Sequence, residues 1–359
     1  MTRVLLAILD WGLGHATRSI PLIRELCHQG CDVVIAGSGD SLVLLQKEFP
    51  ALSFVALPGY SPRYPRNGSM VLAMATQLPR FLRVIRAEHR ALENIIVEKK
   101  IDLIISDNRY GCSSRNVPSV FITHQSNILM PKRFGFLSGF VRRLNERLIN
   151  GFTESWIPDF PENHSLAGDL VDFGTLRVRV PVKFIGWLSR FEYRGASHPR
   201  TDVLAILSGP EPQRTALEEI VVPQLKASGL KFTVVRGLPT LASIFNEDNI
   251  VNFLTASELQ SCIESASLII ARSGYSTVMD MKALGKKVVF IPTPGQTEQE
   301  YLAKRLMQSR VAFSMPQDTF DLLTAIQESK NFSGFDPCGK NTLLAAAVKS
   351  VLAQARNRR

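Results

Sequence analysis

The sequence predicts an α/β protein of two doubly wound, Rossmann-like domains that face a shared cleft. Short apolar runs of the kind that are buried on both faces of a parallel sheet alternate with helical segments. This alternation restarts midway along the chain, and 359 residues are enough for two domains of ordinary size. We therefore predict a first domain over 1–187, a linker over 188–200 and a second domain over 201–341. A last helix, 342–359, is predicted to pack back on the first domain.

The first half begins with an apolar run, Val4–Leu9, that enters Asp10 and a glycine turn. This run is too short for a secretory signal and is predicted to be the first strand. The other strands predicted in this half are Val33–Ala36, Phe54–Leu57, Leu103–Ser106, Ser119–Thr123 and Ser155–Pro158. Helical spacing of apolar residues predicts helices over Ser19–Gln29 and Leu72–Lys99.

The second half repeats the pattern and ends in an Ala-rich helix. The predicted strands are Val203–Leu207, Phe232–Val235, Ile250–Phe253, Leu268–Ala271 and Val288–Ile291. The predicted helices are Leu217–Ser228, Thr277–Leu284, Gln299–Ser309 and Thr342–Ala355. In two such domains the loops after the strands face one cleft, so the function should lie there.

Composition limits the classes of function. The five cysteines are odd in number and form no paired CxxC set, which predicts free thiols in a reducing, cytoplasmic compartment. No apolar run approaches the roughly 18 residues that span a bilayer. The formal charge is +10, and residues 60–147 hold 15 Lys and Arg against 6 Asp and Glu. This local excess indicates an anionic partner, but no recognised motif points to nucleic acid.

The loop Gly12-Leu13-Gly14-His15 follows the first strand and begins a helix. Glycines allow the backbone to approach a ligand, and the helix N-terminus offers free N–H groups to an anion. His15 is a candidate general base, because a histidine near its intrinsic pKa can remove a proton at neutral pH. A plain βα turn with a capping histidine is the alternative.

The loop Ser273-Gly274-Tyr275-Ser276 repeats this geometry in the second half, and Asp280 lies farther along the same helix. It is a candidate phosphate cradle, with Asp280 placed to accept both hydroxyls of a ribose. The alternative is N-capping by Ser273 and a solvated carboxylate.

Four further segments follow predicted strands. Gln299 and Glu300, which open a helix after a Pro/Gly loop, are candidates for binding sugar hydroxyls or form an exposed helix start. His124 and Asn127 lie at the expected cleft edge, or belong to an ordinary polar loop. The candidate phosphate contacts are Ser208, Gly209, Arg214 and Arg236.

Together these segments resemble the GT-B glycosyltransferases, and within them the relatives of the enzyme that adds N-acetylglucosamine to the lipid-linked peptidoglycan precursor. The resemblance spans nearly the whole chain and is strongest from Ala271 to Tyr301. It implies that Ser273 and Gly274 line the diphosphate site, Asp280 holds the ribose where the relative has glutamate, and Gln299 and Glu300 bind the donor sugar where the relative has two glutamines. His124 and Asn127 match its acceptor segment, and Gly14 and His15 match the end of its first loop.

The resemblance implies a metal-independent transfer of a sugar, with inversion, from a nucleoside-diphosphate donor, expected to be a UDP-sugar. The nucleotide-sugar is a substrate, and no cofactor is expected. The sequence shows no ligand spacing typical of a metal site. The Gly-x-Gly-His-x-x-Arg start also resembles a nucleotide-sugar hydrolase, so hydrolysis stays open, as does a non-catalytic sugar-nucleotide-binding protein.

A basic and aromatic segment, Pro131–Leu148, lies next to the candidate acceptor loop. Arginines also recur at helical spacing from Arg80 to Arg90. These patterns are typical of docking on an anionic membrane, which would suit a glycan or lipid-linked acceptor at the inner face of the membrane. A solvated helix face with ordinary core aromatics is the alternative.

Overall fold

The computed structural model describes residues 1–62, 70–125, 138–161, 164–171, 177–195, 199–242, 249–339 and 341–357; the side chains of 70–73 and 75 are not described. It contains two parallel sheets with helices on both faces. The predicted fold class is therefore confirmed.

The first sheet has the strand order β3-β2-β1-β4-β5-β6-β7. Its strands are β1 (Arg3–Ile8), β2 (Asp32–Gly37), β3 (Ser53–Ala56), β4 (Leu103–Asp107), β5 (Ser119–Ile122), β6 (Glu154–Ile157) and β7 (Val182–Phe184). The helices of this half are α1 (Gly14–His28), α2 (Gly39–Glu48), α3 (Met70–Lys99) and α4 (Ser138–Ile149). The order reverses between β1 and β4, so the loops after these two strands open into the crevice where such sheets bind ligands.

The second sheet has the order β10-β9-β8-β11-β12-β13. Its strands are β8 (Thr201–Ile206), β9 (Phe232–Val235), β10 (Ile250–Val251), β11 (Ala266–Ala271), β12 (Val288–Phe290) and β13 (Phe313–Ser314). The helices are α5 (Gln213–Ala227), α6 (Ala256–Glu264), α7 (Tyr275–Leu284), α8 (Thr297–Gln308), α9 (Leu322–Ser329) and α10 (Thr342–Arg356). Its order reverses between β8 and β11, and α7 follows β11 directly.

Strand β1 shows why the sheets are covered on both faces. Leu6 and Ile8 are buried in one apolar cluster with helices α1 and α10, while Leu5 and Ala7 are buried in another with residues of α3. Because successive side chains of a strand point to opposite faces, a run of apolar residues with no polar alternation requires helices on both sides.

Helix α10 packs on the first domain. The Asn341 side chain caps this helix and also donates to the carbonyl oxygens of Ile185 (2.8 Å) and Trp187 (3.0 Å). Gln29 of α1 donates to the Ala345 carbonyl across 3.0 Å. The chain therefore crosses between the domains twice, and both crossings are held by hydrogen bonds.

Several boundaries differ from those predicted. Strand β10 ends at Val251 and not at Phe253. Strands β7 and β13 were not predicted, because they contain three and two residues and are incompletely buried, which leaves almost no periodic signal. In the described part of the chain, no helix is both long and apolar enough to cross a membrane.

Candidate active site

The N-termini of α1 and α7 meet across the two domains. Gly12 has a φ of +80°, which lets the chain turn from β1 into α1. The Ser276 hydroxyl on α7 donates to the Gly14 carbonyl of α1 across 2.8 Å. A Cβ at Gly14 would lie 3.2 Å from the Ser276 oxygen, so any larger residue there would press on α7. The two loops that the sequence singled out are therefore in contact across the cleft.

His15 is joined to a carboxylate that sequence reasoning did not assign. Its Nδ1 lies 3.1 Å from Oδ1 of Asp107, the last residue of β4. Strand β4 pairs with β1, with Asp107 opposite Ile8, and this register brings the carboxylate beside the loop that carries His15. The His15 side chain is 13% exposed and the Asp107 side chain is 2% exposed. The result is a histidine–aspartate pair at the carboxyl edge of the first sheet.

Arg18, one turn along α1 from His15, is the buried cation of the site. Its Nε donates to Asp107 Oδ2 across 2.8 Å, and its Nη2 donates to Oδ1 of the same carboxylate. Such a bidentate pair fixes the carboxylate geometry. Burial alone would raise the pKa of Asp107, but the Arg18 guanidinium and the bond to His15 hold that pKa well below its usual value. Asp107 is therefore ionised at neutral pH.

The same contacts restrict the hydrogen bonds of His15. Nδ1 lies 3.1 Å from Asp107 Oδ1 and 2.9 Å from Arg18 Nη2. Arg18 Nη2 carries two hydrogens and can donate to Nδ1 as well as to Asp107, so Nδ1 donates to the carboxylate in one tautomer and accepts from Arg18 in the other. The tautomer with its proton on Nδ1 is the one that leaves the lone pair on Nε2. Burial, and then the charge of Arg18, lower the pKa of His15, which keeps the ring neutral at pH 7.

His124 extends the network into the second domain. Arg18 Nη1 lies 2.8 Å from His124 Nδ1, and His124 Nε2 lies 3.1 Å from Oε1 of Glu298. Because Arg18 is an obligate donor, His124 accepts at Nδ1 and donates to Glu298 at Nε2. The imidazole stacks on the Tyr275 ring at a centroid distance of 4.5 Å and an interplanar angle of 6°. The cleft is thus bridged by a continuous chain of Asp107, Arg18, His124 and Glu298.

The second-domain candidates surround the start of α7. Gly274 precedes this helix, and no side chain caps it, so its first-turn N–H groups are not used by a capping side chain. Ser273 donates to the Gln299 carbonyl across 2.8 Å, which ties the start of α7 to α8. The Gln299 side chain accepts from Thr293 N, and Glu300 accepts from Gly295 N, both at 2.8 Å. These bonds shape the loop between β12 and α8.

Three predicted ligand contacts are engaged within the protein. Both oxygens of Asp280 accept from the linker, from Ser189 Oγ (2.7 Å) and Arg190 Nε (3.3 Å). Arg214 Nε donates to Glu211 across 2.6 Å, and its Nη1 donates to Glu218. Arg236 donates to Glu218 (2.8 Å) and to Asn252 (2.9 Å). Their roles toward a donor stay predictions, and each requires a rearrangement of these partners.

Some of the other predicted positions lie within the described residues, and some lie outside them. Gly209 has a φ of +114°, a backbone conformation that favours glycine, and it follows Ser208 after β8. Asn127 lies outside the described residues, as does the segment 131–137. Helix α4 carries exposed Arg142, Arg143 and Arg147, and Phe140 is 60% exposed. In the described ranges, His, Cys, Asp and Glu side chains form no group of three that could hold a metal ion.

Sequence reasoning missed Asp107, Glu298 and the role of Arg18. Asp107 ends a buried apolar strand, and a polar residue in that position is the signal that could have identified it. Arg18 was visible in the Gly-x-Gly-His-x-x-Arg pattern, but its 2% exposure could not be known from the sequence. Glu298 contacts a residue 174 positions away, so only the tertiary fold reveals it.

Asn108, beside Asp107, adopts a strained conformation that can be tested. Its φ is +60°, and its buried Oδ1 has no hydrogen-bond partner among the residues that the structure describes. We expect Asn108→Gly to match or exceed the wild type in stability, because glycine tolerates this φ and the unsatisfied oxygen is removed. Asn108→Ala should be about 1 kcal/mol less stable than Asn108→Gly. Urea unfolding measures both, and equal stability of the two variants would contradict the assignment of strain. Asn249→Gly is the control, because Asn249 has a similar φ of 58° but is exposed.

The known proteins that this chain matches in sequence are glycosyltransferases. Residues 217–333 match the glycosyltransferase family 28 C-terminal domain. An uncharacterized glycosyltransferase of Methanosarcina acetivorans is 23% identical over 325 residues, which cover 83% of this chain and 81% of the relative. The UDP-N-acetylglucosamine–N-acetylmuramyl-(pentapeptide) pyrophosphoryl-undecaprenol N-acetylglucosamine transferase of Methylobacterium sp. (strain 4-46) is 26% identical over 328 residues, 86% of this chain and 82% of the relative.

Solved structures share the architecture. The glycosyltransferase SnogD from Streptomyces nogalater superposes with a TM-score of 0.61 at 15% identity, covering 99% of each chain. MurG of Acinetobacter baumannii superposes with a TM-score of 0.51 at 15% identity, covering 99% of this chain and 100% of that one. The chain has the GT-B fold and is a glycosyltransferase.

Proposed function

We propose that the protein transfers a sugar from a nucleoside-diphosphate donor, expected to be a UDP-sugar, to an acceptor hydroxyl, with His15 as the general base. The observation that carries this proposal is the His15–Asp107 pair at the N-terminus of α1. The neighbouring Gly14 carbonyl accepts a hydrogen bond from Ser276 Oγ, at the start of α7, across 2.8 Å. A base and a helix N-terminus suited to an anion therefore lie in one cleft.

The start of α7 is the proposed diphosphate site. A leaving diphosphate gains negative charge as the bond to the sugar breaks, and the N–H groups of a helix N-terminus stabilise that charge without a metal. Ser273, Gly274, Tyr275 and Ser276 lie at this position. We place Gln299 and Glu300 against the donor sugar and Asp280 toward the ribose, where donor binding would exchange its contacts with Ser189 and Arg190 for hydroxyls.

On the acceptor side we place Gly14, His124 and Asn127. His15 Nε2 would take the proton of the attacking hydroxyl, and Asp107 would stabilise the resulting imidazolium through its bond to Nδ1. Attack on the face opposite the leaving group inverts the sugar carbon. The acceptor oxygen forms a bond to the sugar carbon as its proton passes to His15, and the bond from that carbon to the diphosphate breaks with its electron pair on the diphosphate. No atom changes its oxidation state, so this transfer needs no redox cofactor.

A lipid-linked acceptor at the inner face of the membrane is our proposal for the acceptor class. It is supported by the exposed Arg142, Arg143, Arg147 and Phe140 of α4, since cationic and aromatic side chains together favour an anionic membrane surface. The name of the Methylobacterium relative, a transferase acting on pyrophosphoryl-undecaprenol, supports the same class. Membrane attachment would then be peripheral.

A thermal-shift screen against nucleoside diphosphates and their sugar conjugates tests the donor proposal. A ligand that binds the native state stabilises it by RT ln(1 + [L]/Kd), about 2.7 kcal/mol at one hundred times the Kd, and so raises the melting temperature. We expect a clear rise with one diphosphate and its sugar conjugate, UDP first. No rise with any of them at millimolar concentration would contradict the proposal. Rapid donor breakdown without acceptor would instead identify a hydrolase, and binding without turnover a non-catalytic protein.

A further inference from the structure

We propose that the protein has a second ligand site, in a groove outside the cleft that holds His15, that binds a small anion with an apolar body, such as an organic phosphate. The cavity has a volume of about 520 Å³ and lies between the chain after β6 and the C-terminal ends of α7 and α8. We call it the α7–α8 groove. The residues that define it are Ser165, Leu166, Lys282, Arg305, Leu306, Gln308, Ser309, Val311, Ser333, Gly334, Phe335 and Asp336.

The groove contains two cations that no carboxylate of the described residues neutralises. Lys282 and Arg305 are both half-buried, and within the described ranges neither lies within ion-pair distance of an acidic side chain. Lys282 Nζ lies 5.5 Å from the centroid of the Trp187 ring, and Arg305 Nη2 donates to the Ser165 carbonyl across 3.2 Å. Asp336 also lines the groove, but it is exposed and pairs with neither cation.

Several other cations of the linker and second domain are neutralised by carboxylates, whereas the buried Arg272 donates to carbonyl oxygens and to Gln317. Arg190, Arg214 and Arg236 each bind a carboxylate at 3.3 Å or less. Both cations of the groove lie in the last turns of their helices, whose carbonyl ends supply only part of a counter-charge, while burial weakens their hydration. Two of them at one cavity therefore favour an anion, and the bidentate geometry of a guanidinium suits phosphate or carboxylate.

The remaining wall of the groove is apolar. Leu306 and Phe335 are nearly buried, and Leu166 and Val311 pack partly buried against the same core. A bare inorganic anion would leave this surface uncovered, whereas an organic anion can place its charged group at Lys282 and Arg305 and its hydrocarbon part on the apolar wall. A cavity of this size suits a small organic ligand.

The groove is distinct from the proposed donor site. Lys282 lies seven residues after Tyr275 on α7, and Arg305 lies seven residues after Glu298 on α8. At 1.5 Å per residue, each cation is about 10 Å along its helix from the cleft. Ser165 and Leu166 belong to the first domain, and Tyr301 nearby accepts from Asp169 N across 2.8 Å. A ligand in the groove would thus contact both domains.

The test is a calorimetric titration of the full-length protein with inorganic phosphate and with hexyl phosphate. We expect hexyl phosphate to bind at least about tenfold more tightly than phosphate, because burial of about two methylenes suffices for that ratio. Lys282→Gln and Arg305→Gln should each weaken hexyl phosphate binding about tenfold or more, since each removes a charge-assisted contact. Lys304→Gln, the same charge change at the exposed neighbour of Arg305, should leave it unchanged.

Because these side chains are only half-buried, the unliganded variants should keep the melting temperature of the wild type within a few degrees, which verifies that they fold. A phosphate group could also bind at the donor site. Binding is therefore assigned to the groove only if both groove substitutions weaken it. Co-sedimentation with phosphatidylglycerol vesicles that the same two substitutions reduce would assign the anion to a lipid headgroup; no such effect would assign it to a soluble ligand. Two results would overturn the proposal. One is no binding of hexyl phosphate at 10 mM, a concentration at which even roughly millimolar affinity is detected. The other is binding whose affinity neither groove substitution changes.

Discussion

Replacing His15 with alanine should lower the rate of sugar transfer by roughly 10²–10⁴-fold, the usual contribution of a general base. Donor affinity should change by less than about threefold, because the proposed donor contacts lie on α7 and α8 and not on His15. Steady-state measurement of diphosphate release gives the turnover, and calorimetry with the diphosphate gives the affinity.

His28→Ala is the matched control, because His28 is exposed at the other end of the same helix. It should keep both turnover and donor affinity. Equal losses of turnover and donor affinity in His15→Ala would contradict the assignment of His15 as base and would indicate that this residue shapes the donor site.

The pH dependence should follow the ionisation of His15. A base works in its neutral form, so turnover should fall as the pH drops through the pKa of this ring. Because burial and Arg18 lower that pKa, the fall should occur below pH 6.5, the ordinary pKa of histidine, and the rate should be level at pH 7. A fall centred above pH 7 in the wild type would contradict this environment for His15.

Replacing Asp107 with asparagine should have the second large effect, on both catalysis and folding. The neutral amide cannot stabilise an imidazolium or fix the Nδ1 proton of His15, so turnover should fall by about 10²–10⁴-fold. Asp107 also raises the pKa of His15, and its loss should move the acidic fall in turnover to a lower pH than in the wild type.

The same substitution leaves Arg18 buried without a counter-charge. Removal of one partner of a buried ion pair costs about 3–5 kcal/mol, so the free energy of unfolding should fall by about 3 kcal/mol or more. Asp32→Asn is the control, because the Asp32–Arg3 pair has side chains that are 34% and 41% exposed. It should cost at most about 1 kcal/mol. Equal costs in the two variants would show that the Arg18–Asp107 pair is not desolvated.

The fold could be predicted from the sequence because its signal is local. Runs such as Val4–Leu9 and Leu268–Ala271 are apolar throughout, which marks strands covered on both faces, and the order of strands and helices then restricts the topology. Helix α3 was predicted within two residues at its start. Strands β7 and β13 were not predicted, because runs of three and two residues are too short to show a periodic pattern.

The candidate site could be predicted only in part, and the reason is again physical. His15 and Ser276 lie on glycine-containing loops whose chemistry is visible in sequence. The partners of His15 and His124 are 92 and 174 residues away, and the pairing of β1 with β4 and the contact between the domains bring them together. The burial of Arg18 beside Asp107, where the two charges neutralise each other, is also visible only in the tertiary structure.

Amide hydrogen exchange with and without the diphosphate found by thermal shift tests the central claim most directly, that α1 and α7 form one nucleotide-sugar site. The diphosphate should slow exchange at residues 274–277, whose N–H groups begin α7, and at residues 12–16 across the cleft. Protection at both loops is the result we predict. Protection confined to other segments, with exchange at 274–277 unchanged by a bound diphosphate, would contradict the account.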